Sequence, residues 1–280
     1  IAVPSPALLR RLRRRYAAPT VGAMPDQAPP LPSIHEILDE MDVEVGRCID
    51  ANDRRGYFAL MYRGVTRRVR DGIREMEFPD PAVMEALDVL FAQRWLDACR
   101  GHWDGAPVTG PWQVTFDASR NAKITLMQHL MLGMNAHINF DLGIAAAETV
   151  DRHPEMTIED LRDDFMSINE VLGSLIDDMQ DAMATVSPWM GIADWAAARF
   201  DEDASGFAIE WARDQAWEFA QKLSAVPVDE RRSLVDEQEQ SITQLAEHIA
   251  DPPWPVDIAI WVARIRERHD LHAVAHALGG

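Results

Sequence analysis

From Ser33 onward, apolar residues recur at intervals of three and four along almost the whole chain, the spacing of amphipathic helices rather than of strands. The first stripe is Ile34, Ile37, Leu38, Met41, Val45, Cys48 and Ile49. It opens on "SIHE", with Ser33 placed as cap and Glu36 three residues on, the spacing of a capping box. A second helix is expected over about residues 55–76, with Phe58, Met61, Tyr62, Val65, Val69 and Ile73 inward. Asp80 then caps a third, Pro81 takes its first position, and Met84, Leu87, Phe91 and Trp95 face the core. Residues 101–122 read as loop, broken by Gly101, Gly105, Pro107, Gly110 and Pro111, with room for a short helix after Pro111.

The segment that follows is different in kind. "ITLMQHLMLGMNAHINFDLGIAAA" is apolar nearly all round, so a helix over about residues 122–150 is predicted to be the buried centre of the fold. Thr157 caps a helix over about 158–184, and further helices are expected at about 188–200, 204–225, 228–250 and 255–277. No strand-like alternation persists and no internal repeat is visible. The pattern predicts an all-α fold, a single-domain helical bundle over residues 33–280. Residues 1–32, rich in Arg and Pro, are expected to be a disordered N-terminal extension. There "RRLRRRY" leads into "AAPTVGAMPDQAPPLP" rather than the apolar stretch of a secretion signal, and Met24 leaves residues 1–23 as a candidate extension of the natural protein.

Composition narrows the function classes. A formal net charge of −19 over 280 residues argues against nucleic acid as a partner, because phosphate binding needs clustered positive potential. No run approaches the roughly 20 apolar residues that span a bilayer. Cys48 and Cys99 lie on apolar helical faces outside any C-x-x-C, which suits small buried hydrophobes in a reducing compartment and a cytoplasmic protein.

Candidate chemistry sits inside the apolar segment, at Asn135, His137, Asn139 and Asp141. At about 100° per residue, His137 and Asp141 share one face as i, i+4 neighbours, near enough to hydrogen-bond each other or to share a metal ion. Asn135 and Asn139 point to the opposite side and suit a tether to whatever packs behind the helix. Glu148 shares the His137 face but lies about 10 Å beyond Asp141 by helical rise. On the helix after Thr157, Asp164 and Asn169 bracket the inward face, which makes Asp164 the carboxylate expected to join His137 and Asp141. Together these three suggest a first shell for zinc, iron, manganese or magnesium. Without metal, His137 would be a general base oriented by Asp141. Arg213 offers a charge partner for a buried carboxylate or an anionic substrate, and Tyr62 is a candidate pocket residue. For each of them the bland alternative is ordinary packing, and for the His–Asp pair it is a satisfied polar contact in a core.

Two further strings merit weighing. "DDMQD", residues 177–181, matches the D-D-x-x-D with which class I terpene synthases hold magnesium and a diphosphate, yet its acids fall on an outward face. "RHDLHAVAH" spaces His269, His272 and His276 at i, i+3 and i+7, which suits either a metal or a helix face near the terminus.

"FALMYRGVT", "DVLFAQRWLDA", "MLGMNAHINFDLG" and "DFMSIN" together resemble a bacterial family of uncharacterised domains, over about residues 35–250. Its recurrent signature is G-x-N-A-H-I-N-x-D-L. The resemblance implies little about activity and points to Asn135, His137, Asn139, Asp141, Asp164 and Asn169. The H-x-x-x-D spacing is also similar to that of all-helical zinc phospholipases and single-strand nucleases, but "LGIAAAE" lacks the further His those enzymes need. The sequence therefore suggests an enzyme with a buried His/Asp site in an apolar helical pocket. Metal-dependent hydrolase-type chemistry on a small hydrophobic molecule is its leading form. Terpene-type chemistry on a prenyl diphosphate and a non-catalytic binding or scaffold module are the alternatives.

Overall fold

Ser33 caps the first helix through the expected box: its hydroxyl accepts the Glu36 N–H, and the Glu36 carboxylate accepts the Ser33 N–H at 3.0 Å. The computed structural model describes residues 29–168, 204–252 and 271–272. Its principal helices are α1 (Ile34–Asp50), α2 (Gly56–Arg74), α3 (Pro81–Asp104), α4 (Gly110–Ala118), α5 (Leu126–Ala136), α6 (Leu142–Arg152), α7 (Ala204–Ser224) and α8 (Arg232–Ala250). A π-helical turn, His137–Asp141, joins α5 to α6, and a 3-10 turn, Val228–Glu230, precedes α8. Residues 162–168 are also helical. Every regular element among the described residues is a helix, the all-α bundle that the apolar pattern predicts. The described residues from Leu31 onward belong to one compact unit. No described helix is long and apolar enough to cross a membrane.

The central segment begins on a second capping box, Thr125 with Gln128, and runs through α5, the π turn and α6 to Arg152. Helices α2, α4 and α8 pack against α5, while α3 and α7 pack against α6. Ala136, Phe140, Ala145 and Ala146 are fully buried, so the segment is the centre of the core. Close approach to α2 depends on Gly133, because a β-carbon there would collide with the Phe58 ring.

Three boundaries differ from the sequence expectation. α3 continues to Asp104 through part of the stretch read as loop. Its last turn is anchored from outside, since the Trp103 indole donates to Glu44 at 2.6 Å and the Arg55 guanidinium lies 3.9 Å over the Trp103 ring. In the remaining stretch α4 is the short helix expected there, beginning at Gly110 rather than after Pro111. Third, Thr157 pairs with Asp160 as a cap would, with Asp160 accepting the Thr157 N–H at 2.8 Å, but the helix starts only at residue 162. Residues 1–28, Asn169, "DDMQD", His269, His276, the helix expected at 188–200 and, apart from residues 271–272, the helix expected at 255–277 lie outside the described residues.

Candidate functional site

The π turn occupies the five residues from His137 to Asp141, and the Leu142 N–H bonds the His137 carbonyl five residues back. Such turns are rare and collect at functional positions. Here the turn is held from behind. Asn135 donates to the Ile242 carbonyl at 3.1 Å, Asn139 donates to the Asn135 side chain at 2.9 Å, and Gln238 of α8 donates to the Asn139 carbonyl at 3.0 Å. The Asn pair is thus a tether, as its side of the helix suggests, and it ties the centre to α8.

On the other face, His137 and Asp141 meet. His137 Nδ1 stands 3.3 Å from Asp141 Oδ2, and both side chains are 2% exposed. Asp141 has two further donors: Arg94 Nε at 3.0 Å on Oδ1 and the Trp112 indole at 2.8 Å on Oδ2. Arg94 extends the pair outward to Glu148, whose Oε1 lies 3.5 Å from Nη1. Glu148 therefore joins the site through Arg94, although it lies too far along the helix to share an ion with His137 and Asp141.

The imidazole sits among rings. Phe91 stacks flat on it, with centroids 3.5 Å apart and planes 6° from parallel. Tyr62 meets it edge-on at 4.3 Å, with Phe58 at 5.8 Å and Trp112 at 6.0 Å. Burial among these rings pushes the His137 pKa down, opposed by the hydrogen bond and charge of Asp141 and assisted by Arg94. A neutral imidazole with its Nδ1 proton toward Asp141 leaves the Nε2 lone pair free, and that atom is buried without a hydrogen-bond partner.

The other sequence-selected residues are not brought here. Asp164 Oδ1 instead accepts the Asp80 N–H at 2.8 Å, fixing the start of α3. Arg213 is buried and donates to the Phe165 carbonyl, with its guanidinium 4.6 Å over the Phe165 ring. Burial lowers its pKa to about 10. Tyr62 does belong to the site. Among the described residues no three His, Cys, Asp or Glu side chains form a metal-holding group. Both oxygens of Asp141 already take N–H donors, which suits orientation of an imidazole rather than ligation. A cavity of about 10 Å³, room for about one water molecule, lies between Glu44, Cys48, Arg55, Phe58, Cys99 and Trp112.

A family model described as a family of unknown function (DUF5995) matches residues 34–252. The chain belongs to that family. The match to DUF5995 spans α1 to α8 and includes the whole His137 site. No curated protein matches the chain, and no solved structure does.

Sequence reasoning missed Arg94 and Trp112, the two donors on Asp141. Trp112 fell in the stretch read as loop.

Proposed function

We propose that the protein is an enzyme in which His137 Nε2 acts as a general base, oriented by Asp141, on a small molecule with an apolar body. The unpartnered Nε2 carries this reading. A buried polar atom without a hydrogen bond costs about 1–3 kcal/mol, a penalty that Leu or Phe at the same position would avoid. A carboxylate holding Nδ1–H fixes the tautomer and aims the basic nitrogen away from itself. The π turn at the same residue supports the assignment. Phe58, Tyr62, Phe91 and Trp112 around the imidazole favour an apolar substrate, and binding on this reading displaces the Phe91 ring. Hydrolysis is the simplest chemistry for such a base, with His137 taking a proton from water as it attacks a carbonyl or similar centre.

The donors on Asp141 favour this form over one in which His137 and Asp141 share a zinc, iron, manganese or magnesium ion. A non-catalytic binding or scaffold module is the second reading, favoured by the flat stacking of Phe91 on the imidazole. Two measurements on His137→Leu and His137→Gln separate them. With a functional base, His137→Leu keeps or raises the urea midpoint. In a screen of apolar esters and lactones, His137→Gln then loses about 10²-fold or more of the wild-type turnover. A stability loss of about 2 kcal/mol or more in His137→Leu, with turnover indifferent to His137→Gln, would establish the scaffold reading instead.

A further inference from the structure

The cavity of about 10 Å³ between Glu44, Cys99 and Trp112 has one lining residue that is not buried, Arg54, which marks its edge toward solvent. Arg55 also lines it, with a side chain 6% exposed. Its Nη2 donates to Asp53 at 2.6 Å, but Nε and Nη1 are buried without a hydrogen-bond partner. Open N–H donors on a buried cation are costly, and here they belong to a residue that faces a cavity.

The turn between α1 and α2 places the two arginines. Asn52, with a φ of 46°, reverses the chain, and the Asp53 N–H closes onto the Cys48 carbonyl at 2.8 Å. Asp53 then accepts the Arg55 N–H on Oδ1 at 3.0 Å and the guanidinium on Oδ2, which holds the side chain from both ends. The Arg55 guanidinium lies 3.9 Å over the Trp103 ring and 5.7 Å from that of Phe116. Its faces are taken by rings, so its edges are left for hydrogen bonding.

Electrostatics select the sign of the occupant. Arg47, Arg54 and Arg55 gather here against two carboxylates, Asp53 and Glu44. Asp53 is committed to Arg55, and among the described residues Arg54 has no ion pair. Glu44 accepts the Trp103 indole at 2.6 Å and lies 3.6 Å from Arg47. The thiols of Cys48 and Cys99 add no charge to the wall, since burial pushes Cys48 up to about 12 and Cys99 well above its usual value. In a chain of net charge −19, an excess of guanidinium groups at the edge of a cavity favours entry of an anion there.

We propose that this cavity is a binding site for a small monocarboxylate, which enters past Arg54 and accepts hydrogen bonds from the open N–H groups of Arg55. Room for about one water molecule suits a carboxylate head with a very short chain. Glu44 on the same wall disfavours the higher charge of a phosphate. Phe58 and Trp112 line the cavity and also stand 5.8 and 6.0 Å from the His137 imidazole, so the two sites are neighbours. The inference does not rest on the general-base reading of His137.

The test titrates the full chain with sodium acetate in chloride-free buffer and follows the indole N–H resonances of Trp103 and Trp112. Both should shift along one saturable curve with a midpoint of about 1 mM or below. Acetamide, the uncharged isostere, should leave them in place. Arg54→Gln, at a half-exposed position without an ion pair, should fold as wild type and weaken acetate binding about 3- to 10-fold. Glu44→Gln keeps an acceptor for Trp103, removes the negative charge of the wall and should tighten binding about 3-fold or more. Arg55→Gln should abolish the shifts; should that variant not fold, the opposed responses of Arg54→Gln and Glu44→Gln decide the matter. Absence of a saturable shift, an equal response to acetamide or to chloride, or an affinity unmoved in either Arg54→Gln or Glu44→Gln overturns the inference.

Discussion

Asp141 receives N–H groups from Arg94 and Trp112 and faces the His137 Nδ1, whereas Asp88, as deeply buried in the same core, has no hydrogen bond to Oδ2 and a carboxylate, Glu85, as its charged neighbour. The contrast shows that burial alone does not decide what a carboxyl group does. Donors aimed at Asp141 compensate the desolvation of its charge and make it a rigid orienting group. Asp88 lacks them, and the proton itself becomes the cheapest partner. One core thus holds one carboxyl tied by donors and another whose pKa burial raises.

The comparison breaks most sharply at Asp141. Replacing it with Asn removes the charge that Arg94 and Trp112 address, and should lower stability by about 3 kcal/mol in urea unfolding. A loss under about 1 kcal/mol would mean that its donors are not compensating a buried charge.

Asp88→Asn should act the other way. The rise from 3.8 to about 7 means that the folded state holds the Asp88 proton more tightly than the unfolded chain does. Its contribution is therefore fully present below about pH 4 and is lost as pH climbs through about 7. Removing that loss should gain up to about 4 kcal/mol at pH 8, with little change at pH 4, read as the urea midpoint across pH. His137 has the opposite sign: its pKa is depressed below 6.5, so its contribution is present above that value and is lost as pH falls. The acid-side decline should survive in Asp88→Asn and shrink in His137→Leu.

The smallest effect belongs behind the π turn. Gln238→Ala leaves the Asn139 carbonyl without that donor and should cost about 1 kcal/mol. If the turn sets the aim of His137, the same variant also shifts the His137 ring resonances; an unchanged spectrum would separate the tether from the site.

Much of this molecule is legible along the chain. Ser33 with Glu36 and Asp80 with Pro81 mark two helix starts within a residue. The His137–Asp141 contact follows from a spacing of four, and it survives the π turn even though a wheel of constant angle cannot register one. Asp164 shows where such reasoning ends. Its place at the edge of an inward face is readable, but the group it meets is the Asp80 N–H, 84 residues away, because the packing of two helices selects the neighbour. Arg94 drew no notice in the sequence, because the carboxylate it meets lies 47 residues further on.

By itself the sequence determined the all-helical pattern, the caps at Ser33 and Asp80, the burial of the central segment and the pairing of His137 with Asp141, since all of these depend on contacts three or four residues apart or on local backbone preference. Only the tertiary structure decided that Asp141 would have Arg94 and Trp112 as donors, that Asp88 would have none, and that Tyr62 would stand beside His137. Those relations join helices distant in the chain, and no periodicity within one helix encodes which face of another it will meet.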